Sequence, residues 1–197
     1  MKRAMAILAG LLFSFCAFGQ GRVAFANTST TLINTNFLGQ QGPIAGLGNF
    51  RFGLYLGNAN AAESELQLAL VGTNTPLAGR FSGGSPVALP APWDLGLDPH
   101  PYPLTFQIRA WSSNGGFSYE EAELAELSGV PVLLGRSFLG TVTPTFFPTA
   151  AGVLFGTGAG QVSGFDLVAA VPEPGACALA ALGFASFLFL CRRKLRR

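Results

Sequence analysis

The sequence predicts an all-β body, an antiparallel β-sandwich of jelly-roll or immunoglobulin-like type with one short helix, flanked by an amino-terminal signal helix and a carboxy-terminal single transmembrane helix. Three observations lead there. Apolar and polar residues alternate over several short runs divided by Gly, Pro and Asn, the period-two pattern of half-buried strands. The chain has 26 Gly and 18 Phe but only 3 Tyr and 2 Trp, and 11% of its 197 residues are charged, which suits tight turns and apolar sheet faces better than a helical bundle. A single segment of the body carries both a helix-start and a helix-stop signal.

The strands follow in order. Arg22 to Ala26 and Thr31 to Phe37 are weak candidates. Phe50, Phe52, Leu54 and Leu56 then share one face against Arg51, Gly53 and Tyr55, and the run ends at the turn pair Gly57-Asn58. Leu66 to Val71 is a further weak strand. From Pro86 to Pro103 six prolines fall in eighteen residues, which removes amide donors at a density that predicts an extended loop, with neither regular helix nor central strand. Leu104, Phe106, Ile108 and Ala110 then alternate with Thr105, Gln107, Arg109 and Trp111, placing Trp111 on the exposed face. Phe138 to Thr143 and Phe165 to Ala169 complete the set. Arg22, Arg51, Arg80, Arg109 and Arg136 recur at intervals of 29, 29, 29 and 27 without repeating neighbours, which reads as chance or as one arginine per strand.

The one helix runs from Tyr119 to Leu127. Ser118 is its N-cap and Glu121 the third helical position, a capping box, and Gly129 with Pro131 supplies the stop. Its acids lie toward the start, where the helix dipole favours them. Leu124 and Leu127 are the residues expected to reach a core, with the helix as a lid on the sandwich edge.

The two ends are addresses. Residues 1–19 read as a secretory signal peptide: Met1-Lys2-Arg3 is cationic, Ala4 to Phe18 apolar, and Ala17-Phe18-Gly19 a small-x-small site before Gln20, engaging a Sec translocon. Cys16 follows Phe15, where lipoprotein processing requires a small residue. Residues 20–170 form the body. In residues 171–197, Val171-Pro172-Glu173-Pro174 precedes the uncharged run Gly175 to Cys191, whose 17 residues would make a helix about 26 Å long against a hydrocarbon core of about 30 Å. Arg192, Arg193, Lys194, Arg196 and Arg197 (residues 192–197) follow, and such a cluster stays cytoplasmic. Both ends therefore agree on body out, tail in. Pro172 and Pro174 hold the tetrapeptide extended at the outer surface.

These three parts, in this order at the end of the chain, resemble the PEP-CTERM sorting signal of Gram-negative bacteria, the substrate tag of the membrane transpeptidase exosortase. The resemblance covers the last 27 residues. It implies that Pro172-Glu173-Pro174 marks the processing site, that the apolar run holds the protein temporarily in the inner membrane, and that the protein then passes to the cell surface or the extracellular space. Without it, the segment reads as a permanent anchor. Cys177 and Cys191 depart from the motif; Cys191, beside Arg192, is either a palmitoylation site or a small apolar residue. More loosely, "GQGRVAFAN", "FQIRAW" and "SYEEA" make the body similar to others carrying this tag, which implies an architecture and a sorting route but no catalytic residue.

Composition narrows the chemistry. Of the twelve cations, seven sit in the end segments, leaving five arginines against nine acids in the body, a net of about −4, so a nucleic-acid partner is not expected. The body has no cysteine, which excludes an internal disulfide, a thiolate metal site and a Cys nucleophile. His100 in Asp98-Pro99-His100-Pro101 has Asp94 or Asp98 as an orienting partner, but no Gly-x-Ser-x-Gly elbow supplies a nucleophile. Neither a catalytic residue, a metal site nor a cofactor is expected. Calcium would have to use Asp94, Asp98 or the Glu120, Glu123, Glu126 ridge, without an Asp-x-Asp-x-Asp-Gly loop. The body is expected to be a non-catalytic surface or matrix protein. The alternative is an exopolysaccharide-binding module using Trp93, Tyr102 and Trp111; the competing reading of those rings is that they cover a sheet edge.

Overall fold

The computed structural model describes residues 21–37, 40–93 and 102–169. The signal peptide, with Ala17, Gly19 and Gln20, lies outside these residues, as do Asp94, Asp98, His100 and the whole segment 171–197. The described chain is mostly β with one short helix. Its strands are β1 (Arg22–Ala26), β2 (Asn34–Phe37), β3 (Gln40–Pro43), β4 (Phe50–Gly57), β5 (Gln67–Asn74), β6 (Phe81–Ala88), β7 (Leu104–Ser112), β8 (Leu133–Arg136), β9 (Gly140–Val142), β10 (Gly152–Val153) and β11 (Asp166–Ala169); the helix, α1, is Tyr119–Leu127.

The strands do not divide into the two separate antiparallel sheets of the expected sandwich. All eleven strands belong to one strongly curled sheet, ordered β10-β1-β6-β5-β4-β7-β8-β11-β2-β3, with β9 also on β7. It is mixed, because β10 joins β1 and β11 joins β2 in parallel. The strands of each parallel pair lie far apart in the chain, as a parallel crossover requires. Curling brings distant parts of the sheet together: Arg22 and Thr145 exchange backbone hydrogen bonds of 2.8 and 3.2 Å, and Gly79 accepts from Ile33 and donates to Ile44 at 3.0 and 2.9 Å. Asn27, buried between them, donates to the carbonyls of Thr31 and Gly79 and accepts from the Phe81 amide.

The inward face holds the main core. Phe52 stacks on Phe81 with ring centroids 4.2 Å apart, and Phe25 and Phe155 meet Phe81 edge-on, each at 5.4 Å. Gly83 lacks the side chain that would strike the Phe25 ring.

Strand β6 was not expected, since Pro86 lies within it. Its pairing with β5 is confined to Phe81 and Ser82, and its register with β1 shifts on either side of Phe25. Pro86 sits in that irregular stretch, where no ladder needs its missing amide. The five body arginines do distribute along the strands, with Arg22 on β1, Arg51 on β4, Arg80 directly before β6, Arg109 on β7 and Arg136 on β8.

Candidate functional site

The densest group of polar and aromatic side chains lies on the outer face of β4 and β7, beneath α1. Strand alternation aims Tyr55, Gln107, Arg109 and Trp111 away from the main core. Gly53 leaves that face open, since a methyl group there would come within 2.7 to 3.2 Å of Tyr55, Leu68 and Trp111. Helix α1 closes over them. Tyr119 and Ala122 are its buried residues, forming with Tyr55, Leu66, Trp111, Val132 and Leu134 a second apolar cluster. Leu124 and Leu127, expected to reach a core, are exposed instead. They lie off the Tyr119–Ala122 face by the helical period, and that face wins because it carries the aromatic ring that meets Trp111 edge-on at 6.3 Å.

The cap forms with one change of partner. Ser118 Oγ accepts from the Glu121 amide at 3.2 Å, whereas the Glu121 carboxylate takes the Phe117 amide at 2.7 Å, one residue before the cap. Gly129 ends the helix with φ of 86°, a left-handed conformation that glycine adopts without strain.

Glu120 fastens the helix to the sheet. Its Oε2 accepts from the Tyr55 hydroxyl at 2.8 Å and its Oε1 from Arg109 Nη1 at 3.1 Å. Arg109 also donates from Nε to Gln107 at 2.8 Å and from Nη2 to the Glu63 carbonyl at 3.2 Å, while its guanidinium lies 4.1 Å over the Tyr55 ring. Burial, reinforced by the hydrogen bond to Glu120, pushes the Tyr55 phenol well above its ordinary range, and burial with the nearby Glu123 raises Tyr119. Both shifts favour the protonated phenol. Arg109 thus uses each of its three nitrogens to tie together β7, Glu120 and the Glu63 carbonyl. The constellation holds α1 in place.

The proposed sugar-contact residues do not converge. Trp111, expected exposed, is 0% accessible because α1 covers its face of β7, and Trp93, at 9%, belongs to the main core on the other side of the sheet. Tyr102 is 41% exposed. Of the acidic ridge, Glu120 is drawn into the Tyr55–Arg109 contact; Glu123 and Glu126 line an open groove of about 390 Å³ with Arg136 and Asp166. Among the described residues no group of three or more metal-ligating side chains is assembled, and no helix is long and apolar enough to cross a membrane.

Sequence reasoning placed Tyr55, Gln107 and Arg109 on the polar face and stopped there. The signal that identifies them was present: two adjacent strands bearing large aromatic and long hydrogen-bonding residues on the face opposite the core call for a covering element. Compared with known proteins, the chain matches no family model, no curated protein and no solved structure.

Proposed function

We propose that this chain is an exported, non-catalytic envelope protein. Its body is delivered through the Sec translocon and held in the inner membrane by residues 175–191, then sorted by exosortase at Pro172-Glu173-Pro174 to the cell surface or extracellular matrix. The observation that carries the reading is the tripartite order of Pro-Glu-Pro, uncharged run and cationic end in the sequence. Cleavage near Pro174 would leave every described strand intact, the last of them being β11. In this reading the curled sheet does what a jelly-roll or immunoglobulin-like sandwich does elsewhere, presenting a rigid surface without needing disulfides. An exopolysaccharide partner, if there is one, would have Tyr102 as the remaining exposed ring of the three.

The test is the mass of the exported product. In a host with exosortase, the body should appear beyond the inner membrane, shortened by roughly the last 23 residues; in the same host without that enzyme it should stay uncut in the inner membrane. Retention of Cys191 and the basic end in both hosts would leave a permanent anchor and sink the sorting route.

A further inference from the structure

The strand ends at which the body gives way to its apolar tail have exposed apolar side chains around them. In register, Ala169 of β11 lies opposite Leu133 of β8. Leu134 is opposite Trp111 of β7, and Ser112 is opposite Phe50 of β4, so Ala169, Leu133, Ser112 and Phe50 line one end of four adjacent strands. Strand β2 runs parallel to β11 with Asn36 opposite Val168, which brings Phe37 beside Ala169. In and around the segments at this end Phe37, Leu47, Phe117, Leu127 and Val130 are exposed. Leu47 lies three residues before Phe50, and Phe117 five after Ser112, its ring 4.6 Å from the Arg51 guanidinium. Val130 precedes Leu133 and is bonded to the end of α1 through Ala125, which holds Leu127 close by.

The tether is short. Residues 170–174 separate Ala169 from the apolar run beginning at Gly175, and fully extended they reach about 20 Å. A body so held cannot turn this end far from the bilayer. We infer that this end of the sheet is a membrane-docking face, with Phe37, Leu47, Phe117, Leu127 and Val130 resting on the outer surface of the bilayer that holds residues 175–191. The inference rests on the anchoring read above. Its occupant is lipid because the tether brings these residues to a bilayer surface before any other partner, and exposed apolar side chains are stabilised at the headgroup boundary. None of the five is itself charged, and Arg51 beside Phe117 is a nearby cation.

The experiment uses the full chain reconstituted in phosphatidylcholine vesicles, with a bimane label on one cysteine at a time and the other native cysteines replaced by Ser. Leu127→Cys and Phe37→Cys report the face. Phe138→Cys is the control, since Phe138 is 87% exposed against 83% for Leu127 but lies past the opposite end of β8. Native Cys177 reports insertion of the tail. With brominated lipids, quenching at Leu127→Cys and Phe37→Cys should exceed that at Phe138→Cys at least threefold, with Cys177 strongly quenched. Equal quenching at all three surface positions, with Cys177 still quenched, overturns the docking face while the anchor stands. An unquenched Cys177 overturns the anchor, and the face with it. A lipid-independent response at Leu127→Cys that grows with protein concentration assigns the face to a second copy of the chain and equally overturns the proposal.

Discussion

The phenol of Tyr55 donates to Glu120 across 2.8 Å, tying strand β4 to a helix 65 residues further along the chain. Because Tyr55 is buried and Glu120 half-exposed, the two sides of this bond fail differently. Tyr55→Phe keeps the ring under Arg109 and removes two hydrogen bonds, the one donated to Glu120, which regains water, and the one accepted from the Tyr119 amide at 3.4 Å. It should cost about 1–2 kcal/mol in denaturant unfolding, with the far-ultraviolet spectrum unchanged. A loss below about 0.3 kcal/mol would show that the Tyr55 hydroxyl does not hold α1, leaving that role to the Arg109–Glu120 pair and apolar burial.

The same phenol makes stability fall in alkali. Tyr55 and Tyr119 both have pKa values raised in the folded protein from an ordinary value of 10.0, so above that value the folded state binds more protons than the unfolded one. Their contribution is complete below pH 10 and is lost as pH rises toward the folded values. Guanidinium midpoints measured at pH 8, 10 and 11.5 should therefore decline over the upper interval, and Tyr55→Phe should flatten that decline. A midpoint that rises above pH 10 would contradict the burial of both rings.

Trp111 and Tyr102 should separate packing from surface exposure. Trp111→Ala empties the second apolar cluster and removes the indole donor to the Gly116 carbonyl, which predicts a loss of about 3–5 kcal/mol. Tyr102→Ala, at an exposed site, should change stability by less than about 0.5 kcal/mol. Comparable losses from the two, measured by urea unfolding, would mean that the outer cluster is not packed as described.

In the tail, the motif and the cations should fail in different ways. Replacing Pro172, Glu173 and Pro174 by Ala leaves the apolar run untouched, so the proposed anchor should stay inserted, oriented and full length in a host with exosortase. Deleting residues 192–197 removes the cytoplasmic charge and should weaken orientation and retention instead. Protease protection from each side of the membrane distinguishes the two; normal processing of the triple Ala variant would remove the motif from the recognition step.

What the sequence determined by itself was local. The alternation of Phe50 to Leu56 and of Leu104 to Ala110 specified β4 and β7 and the faces that meet the main core, because a period of two places those side chains together whatever surrounds them. The cap at Ser118 and the stop at Gly129 likewise specified α1 to the residue, since both act through backbone groups within a few positions. The tail, too, is legible as chemistry from composition alone, although it lies outside the described residues. Tertiary structure decided what covers the second face. Alternation says that the two faces of β7 differ, but Trp111 is buried because α1 lies over it, and α1 lies there because Tyr55, Arg109 and Glu120 meet across long stretches of chain. The same limit explains the single curled sheet. The parallel pairing of β10 and β11, the place of Pro86 in β6 and the contact of Arg22 with Thr145 depend on how far the sheet bends, a property of all its strands together that no short run of residues carries.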